Sequence, residues 1–159
     1  MKAAASTFGL FFAVLCLSAA QPTNLATSAR PPASVCGRWV VKRVLRTANV
    51  QTSPTSLEKY LGVRALYSSS EMRFGEDGIR HPLYSVSRLS DVEFFRKSTV
   101  PLTQLGIRAK SVVVVEVRDS AGKDVVRPGT ELFVRSGSEI ITTWDGGYFE
   151  LVRTGTCSR

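Results

Sequence analysis

Two cysteines, Cys36 and Cys157, lie at opposite ends of the part of the chain with β-strand patterning, and they constrain the fold more than any other feature. If the third cysteine, Cys16, is removed with a signal peptide, an even number remains, which in an oxidising compartment predicts a disulfide bond. Two free thiols, or a bond between chains, are the alternatives. An intramolecular bond would close a loop on the order of 100 residues and hold the first and last strands together.

The first residues are typical of a secretory signal peptide. Met1 and Lys2 give a positive start, residues 8–17 are apolar, and small residues at 18–20 predict cleavage after Ala20. The apolar run is shorter than the roughly 20 residues that a membrane-spanning helix needs. We therefore expect a secreted or periplasmic protein that does not span a membrane. Cys16 lies within the signal, and a lipid anchor at this residue stays an open alternative.

The rest of the chain divides into a leader and one domain. Residues 21–35 are rich in Pro, Ser and Thr, which predicts a flexible leader. Residues 36–157 contain about eight short segments with the alternation or β-branched content of strands; residues 112–117, Val-Val-Val-Val-Glu-Val, are the strongest of them.

Two helical segments interrupt these strands. Residues 54–61 predict a short helix before the second strand, with Gly62 as its stop. Ser90 and Glu93 have the spacing of a capping box, which predicts a helix to about Lys97 inside a helical insertion at residues 90–107.

Strands in meander order predict an all-β domain. A sheet with open edges invites aggregation, so we expect an antiparallel up-and-down barrel of about eight strands, with the first strand beside the last. A sandwich of two sheets is the competing architecture.

Gly37 and Trp39 at the head of the first strand resemble the G-x-W signature of lipocalins and related calycin barrels, and the terminal hairpin at residues 144–151 resembles that of small secreted bacterial lipocalin-like proteins. The resemblance implies that Trp39 packs at the closed end of the barrel beneath an arginine from the last strand. Arg153 is the candidate, in a cation–π contact. The long helix that usually follows the last strand of a lipocalin is absent from this sequence.

The sequence predicts no catalytic site, and we expect a protein that is not an enzyme. His81 is the single histidine and has no partner at a recognisable spacing, so it is interpreted as a turn residue, and neither a metal nor a cofactor is expected. Nucleophile elbows and phosphate-binding glycine loops are also absent from the sequence.

Four residues are candidates for ligand binding. Arg43 and Glu116 are charged residues on otherwise apolar strands, where they would orient the polar end of a ligand if they faced the interior. Outward-facing positions would make them ordinary surface charges. Tyr84 and Trp144 are aromatic candidates for the lining of a pocket or an interface, or for the core.

The mature chain is basic. Loss of Lys2 with the signal leaves 20 basic and 13 acidic residues, a net charge of +7. The charge is scattered, which is typical either of a solvated surface or of attraction to lipopolysaccharide, acidic polysaccharide or acidic protein; nucleic acid is not expected. Two functions fit: binding of a small apolar or amphipathic ligand inside a lipocalin-like barrel, or a filled barrel that binds an envelope protein as an inhibitor or immunity protein.

Overall fold

A computed structural model of the chain describes residues 25–45 and 54–157. The predicted signal peptide at residues 1–20 and Cys16 lie outside the described residues.

The described residues are mostly β-structure, with two α-helices and one 3-10 helix. The strands are β1 (Leu25–Ser28), β2 (Gly37–Leu45), β3 (Arg64–Tyr67), β4 (Glu71–Phe74), β5 (Asp77–Arg80), β6 (Leu83–Ser90), β7 (Ser111–Arg118), β8 (Glu131–Val134), β9 (Glu139–Trp144) and β10 (Gly147–Gly155). The helices are α1 (Pro54–Glu58), α2 (Asp91–Ser98) and the 3-10 helix (Leu102–Leu105).

All ten strands belong to one antiparallel sheet. Their order across the sheet is β1-β6-β7-β8-β9-β10-β2-β3-β4-β5. The sheet follows the predicted meander, and an all-β fold is confirmed. In the described residues, however, its hydrogen-bonded ladder does not close, because β1 and β5 occupy the two edges. The structure also has ten strands, where about eight were expected.

The first and last strands of the predicted domain lie side by side. β10 pairs with β2 from Tyr148 opposite Leu45 to Gly155 opposite Arg38. The disulfide between Cys36 and Cys157 is confirmed, with Cα atoms 5.6 Å apart, at the end of this pair. Gly37 has φ +137°, and a Cβ atom there would collide with the Gly155 carbonyl oxygen, so a side chain would separate the strands at the disulfide.

Apolar side chains are buried on both faces of the sheet. The inner face carries the larger core, which includes Trp39, Tyr67 and Phe149. The outer face of β7–β10 carries a second core, which α2 and the 3-10 helix cover. In this second core the Phe94 ring of α2 contacts the Phe133 ring edge-on, with centroids 5.0 Å apart.

The helical insertion forms as the sequence predicts. Ser90 accepts a hydrogen bond from the Glu93 amide, and the Glu93 carboxylate accepts one from the Ser90 amide, which completes the capping box. These hydrogen bonds, chiefly those from Ser90, hold the pKa of Glu93 below its usual range. Gly106 ends the 3-10 helix in the left-handed conformation.

Two strands were not predicted. β1 pairs with β6 and lies within the segment for which a flexible leader was expected. β5 begins at Asp77, because the reversal of the chain after Phe74 needs only Gly75 and Glu76. Each edge of the sheet therefore ends in a short strand of four residues.

Candidate functional site

The space enclosed by the inner face is filled with side chains rather than open to a ligand. Trp39, Tyr67, Tyr84 and Phe149 are each 0–1% exposed there. The Tyr67 hydroxyl donates to the Gly129 carbonyl at 3.0 Å, and the Tyr84 hydroxyl donates to the Ser68 carbonyl at 2.7 Å. Burial raises the pKa of both tyrosines far above the usual value, so both remain neutral hydrogen-bond donors.

Arg153 closes one end of this core. Its guanidinium lies over the Trp39 ring, with Cζ 4.3 Å from the ring centroid, in the arrangement that the lipocalin resemblance implies. The same group donates to the carbonyls of Ser34 and Gly137 at 2.8 Å each, and to that of Cys36. Burial lowers the pKa of Arg153. These contacts tie the residues before β2 to the last strand, which is a structural role.

The four predicted ligand-binding residues do not form one site. Tyr84 is in the core and Trp144 packs against it, half-buried. Arg43 lies on the outer face, where its Nη2 atom contacts Glu150 at 2.7 Å. Glu116 also points outwards and pairs with Lys97 at 3.5 Å. Arg43 and Glu116 are therefore surface charges with partners of their own, and the interior-facing arrangement is not observed.

On the outer face near α2 and the 3-10 helix, three basic groups have acidic partners. The buried carboxylate of Glu150 accepts from Arg43 and, at 2.6 Å, from Arg135. Lys97 of α2 lies 2.6 Å from Glu131. Burial alone would lower the pKa of Lys97, but its hydrogen bond to Glu131 and the nearby acidic charges outweigh burial and raise it. These three basic groups are therefore used within the protein, whereas Arg96 and Arg108 in the same region are exposed and have no acidic group within ion-pair distance in the described chain.

The outer face of β2, β3 and β4 is different, because none of the helices in the described residues covers it and its charge is unbalanced. Arg38 of β2 lies opposite Leu66 of β3, and Leu66 lies opposite Arg73 of β4. Arg64 is paired with Val40 in the next row. These side chains line an open groove of about 690 Å³.

Few acidic groups neutralise this groove. Within residues 25–45 and 54–157, neither Arg38 nor Arg64 has an acidic group within ion-pair distance, and Arg73 pairs with the half-buried Glu71 at 3.0 Å. Arg80 on β5 is exposed beside the same surface. The guanidinium groups of this surface, called the arginine groove below, therefore retain hydrogen-bond donors for an external anion.

No family model, curated protein or solved structure matches this chain. The arginine groove is therefore described from the geometry of this chain alone. In the part of the chain that the structure describes, no helix is long and apolar enough to cross a membrane. The same residues contain no group of three or more His, Cys, Asp or Glu side chains placed to hold a metal ion. His81 forms the turn between β5 and β6, with φ +49° and its amide bonded to the Ser70 carbonyl.

Sequence reasoning did not identify the arginine groove. Arg38, Arg64 and Arg73 each alternate with buried residues, Trp39, Ala65 and Phe74 among them, so each could be placed on an outer face. The alternation does not say which outer faces are covered by helices. The pairing register of β2, β3 and β4 brings the arginines together, and these strands extend over nearly 40 residues of sequence.

Proposed function

We propose that this chain is a secreted, non-enzymatic binding protein that recognises an anionic macromolecule with the arginine groove. The observation that carries the proposal is that arginines from three adjacent strands line one open groove on the outer face. Lys97, Arg43 and Arg135 are matched by carboxylates, whereas Arg38 and Arg64 face solvent without acidic partners in the described chain. Arginine forks suit carboxylate, sulfate and phosphate groups, and a net charge of +7 would attract such a partner.

The sheet supports a lipocalin-like barrel with one gap as the finer description of the fold. The ladder runs without interruption from β6 through β10 and β2 to β5, and the gap lies between β5 and β6. Side chains bridge it: Tyr84 of β6 reaches the Ser68 carbonyl beside β4, and Arg127 donates to the Gly78 carbonyl of β5 at 3.1 Å. In this description the barrel is a rigid frame for its outer surface.

The alternative proposal is that a small apolar or amphipathic ligand binds in the interior. It would require the close-packed side chains of Trp39, Tyr67 and Phe149 to move apart, at the cost of their buried contacts. The proposal of an outward-facing site needs no such rearrangement. A protein-binding module of the cell envelope, such as an inhibitor or immunity protein, belongs to the outward-facing class if its target is acidic.

The experiment compares two triple variants of the purified protein. The groove variant carries Arg38→Gln, Arg64→Gln and Arg73→Gln. The control variant removes the same charge from exposed positions outside the groove, and carries the substitutions Arg88→Gln, Arg96→Gln and Arg108→Gln. Equilibrium binding is measured to dextran sulfate, poly-L-glutamate and phosphatidylglycerol vesicles.

We expect at least one of these polyanions to bind the groove variant about tenfold more weakly than it binds the control variant. Equal loss in both variants would mean that net charge alone governs binding and would overturn the proposal. A hydrophobic dye that fluoresces with the native protein, together with co-purified lipid in native mass spectrometry, would instead favour the interior ligand.

A further inference from the structure

The arginine groove has a composition that distinguishes among anionic partners. Its basic groups are all arginines, spread over three adjacent strands, and its apolar floor is limited to half-buried Val40 and Leu66 beside Thr154. From this arrangement we infer that the groove binds an acidic polysaccharide, a chain that carries carboxylate, sulfate or phosphate groups on successive sugars. The inference rests on the proposed function, since it names the partner of the same site.

The spacing of the arginines suits a ligand with several anionic groups. Arg38 and Arg73 lie on either side of Leu66 in one row across three strands, so two strand spacings, about 10 Å, separate their backbones. Arg64 lies two residues along β3 from Leu66, about 7 Å away. Guanidinium groups that start from positions this far apart can each contact a different anionic group of a polymer with repeated charges, which a single phosphate or carboxylate does not offer.

A membrane surface fits the groove less well. Peripheral proteins that bind lipid bury apolar side chains among the acyl chains, in addition to contacting the headgroups. The large hydrophobic residues exposed in the described chain lie elsewhere: Leu61, Val92, Phe95 and Val126. Val40 and Leu66 are half-buried between arginines and do not protrude as an anchor.

An acidic protein also fits less well. The centre of a protein interface is usually an apolar or aromatic anchor surrounded by a polar rim. In the arginine groove the aromatic residue, Trp39, is 1% exposed and belongs to the core. A surface of charged donors with a small apolar floor is suited to a hydrated polyanion, for which charge pairing supplies most of the affinity and makes it dependent on salt.

The test compares the affinities of the polyanions for the native protein and for the two triple variants. Dextran sulfate serves as the polysaccharide probe, and uncharged dextran of the same length measures the contribution of the sugar chain itself. We expect dextran sulfate to bind more tightly than poly-L-glutamate of equal charge or phosphatidylglycerol vesicles. We also expect the groove variant to bind it about tenfold more weakly than the control variant does, with a shallower dependence on salt.

The outcomes separate this inference from the proposed function. Selective loss of poly-L-glutamate or vesicle binding in the groove variant, without selective loss of dextran sulfate binding, would overturn the polysaccharide inference and leave the groove as an anion site. No selective loss for any polyanion would overturn both. If the groove variant does not unfold with the same midpoint as the wild type, the single variants Arg64→Gln and Arg96→Gln replace the triple variants. Equal affinity of these two single variants for dextran sulfate counts against the inference.

Discussion

Replacing Arg153 tests whether one side chain fastens the end of the core where the two termini of the domain meet. Arg153→Met keeps the length and most of the packing on Trp39 but removes the charge and all donors. The wild-type side chain donates to three backbone carbonyls, those of Ser34, Cys36 and Gly137, with a further contact to Ala33 at 3.2 Å. A methionine leaves these carbonyls to water or without a partner.

The magnitude follows from these contacts. We assign each of the three hydrogen bonds about 1 kcal/mol, the net value of an ordinary hydrogen bond and less than a buried charged donor contributes, because the site is partly exposed. The cation–π contact adds about 1 kcal/mol, since Trp39 is 1% exposed. Methionine restores part of the packing, so we expect Arg153→Met to reduce the free energy of unfolding by about 3 kcal/mol and Tm by roughly 10 °C.

Urea unfolding followed by tryptophan fluorescence, with the disulfide intact, measures this loss. Arg153→Lys keeps the charge but not the planar fork, so about half of the loss should remain. Arg96→Met, on the exposed side of α2, is the matched control and should change stability by less than about 0.5 kcal/mol. A loss at Arg153 below about 1 kcal/mol would refute the assigned fastening role.

Three further predictions concern the core and the paired outer face. Glu150→Gln should cost about 2–3 kcal/mol in urea unfolding, because a neutral amide replaces the buried carboxylate that Arg43 and Arg135 share. A loss as small as that of an exposed glutamate would contradict this. Cys36→Ser should lower stability by up to about 5 kcal/mol, since the bond spans 121 residues, and the β2–β10 pair should persist in hydrogen exchange. Because burial raises the pKa of Tyr67, the folded state holds its proton after the unfolded state has lost it. The contribution of Tyr67 to the free energy of unfolding is therefore complete below about pH 10 and decreases as the pH rises above that value. Tyr67→Phe should make the free energy of unfolding depend less steeply on pH in this alkaline range.

Features set by local chemistry were predictable from the sequence. The capping box at Ser90 and Glu93 formed, because its two hydrogen bonds involve residues three apart. Asp145 and Gly146 adopt φ of +53° and +74°, as a tight two-residue hairpin turn requires. This turn pairs β9 with β10 as a hairpin. The disulfide was predictable because few cysteines leave few pairings.

Long-range features were harder to predict. β5 is only four residues long and contains Gly78, so its pattern resembles a turn, and it becomes a strand because β4 supplies a partner. β1 likewise depends on the free edge of β6, which the local Thr- and Ser-containing sequence does not reveal. In both cases tertiary pairing overrides weak local preference.

The arginine groove shows why function was less predictable than fold. The alternation along β2 and β3 places Arg38 and Arg64 on an outer face, and the alternation along β7 places Glu116 on an outer face in the same way. The arginines differ from Glu116 because the insertion at residues 90–107 folds over β7–β10 and brings Lys97 to Glu116. None of the described helices covers β2–β4. Whether Glu116 is a free or a paired surface charge thus depends on where a helix from another part of the chain packs. A variant that shortens the insertion should accordingly expose Phe133 and Tyr148 without altering the groove, and its dextran sulfate affinity should match that of the wild type if the groove acts alone.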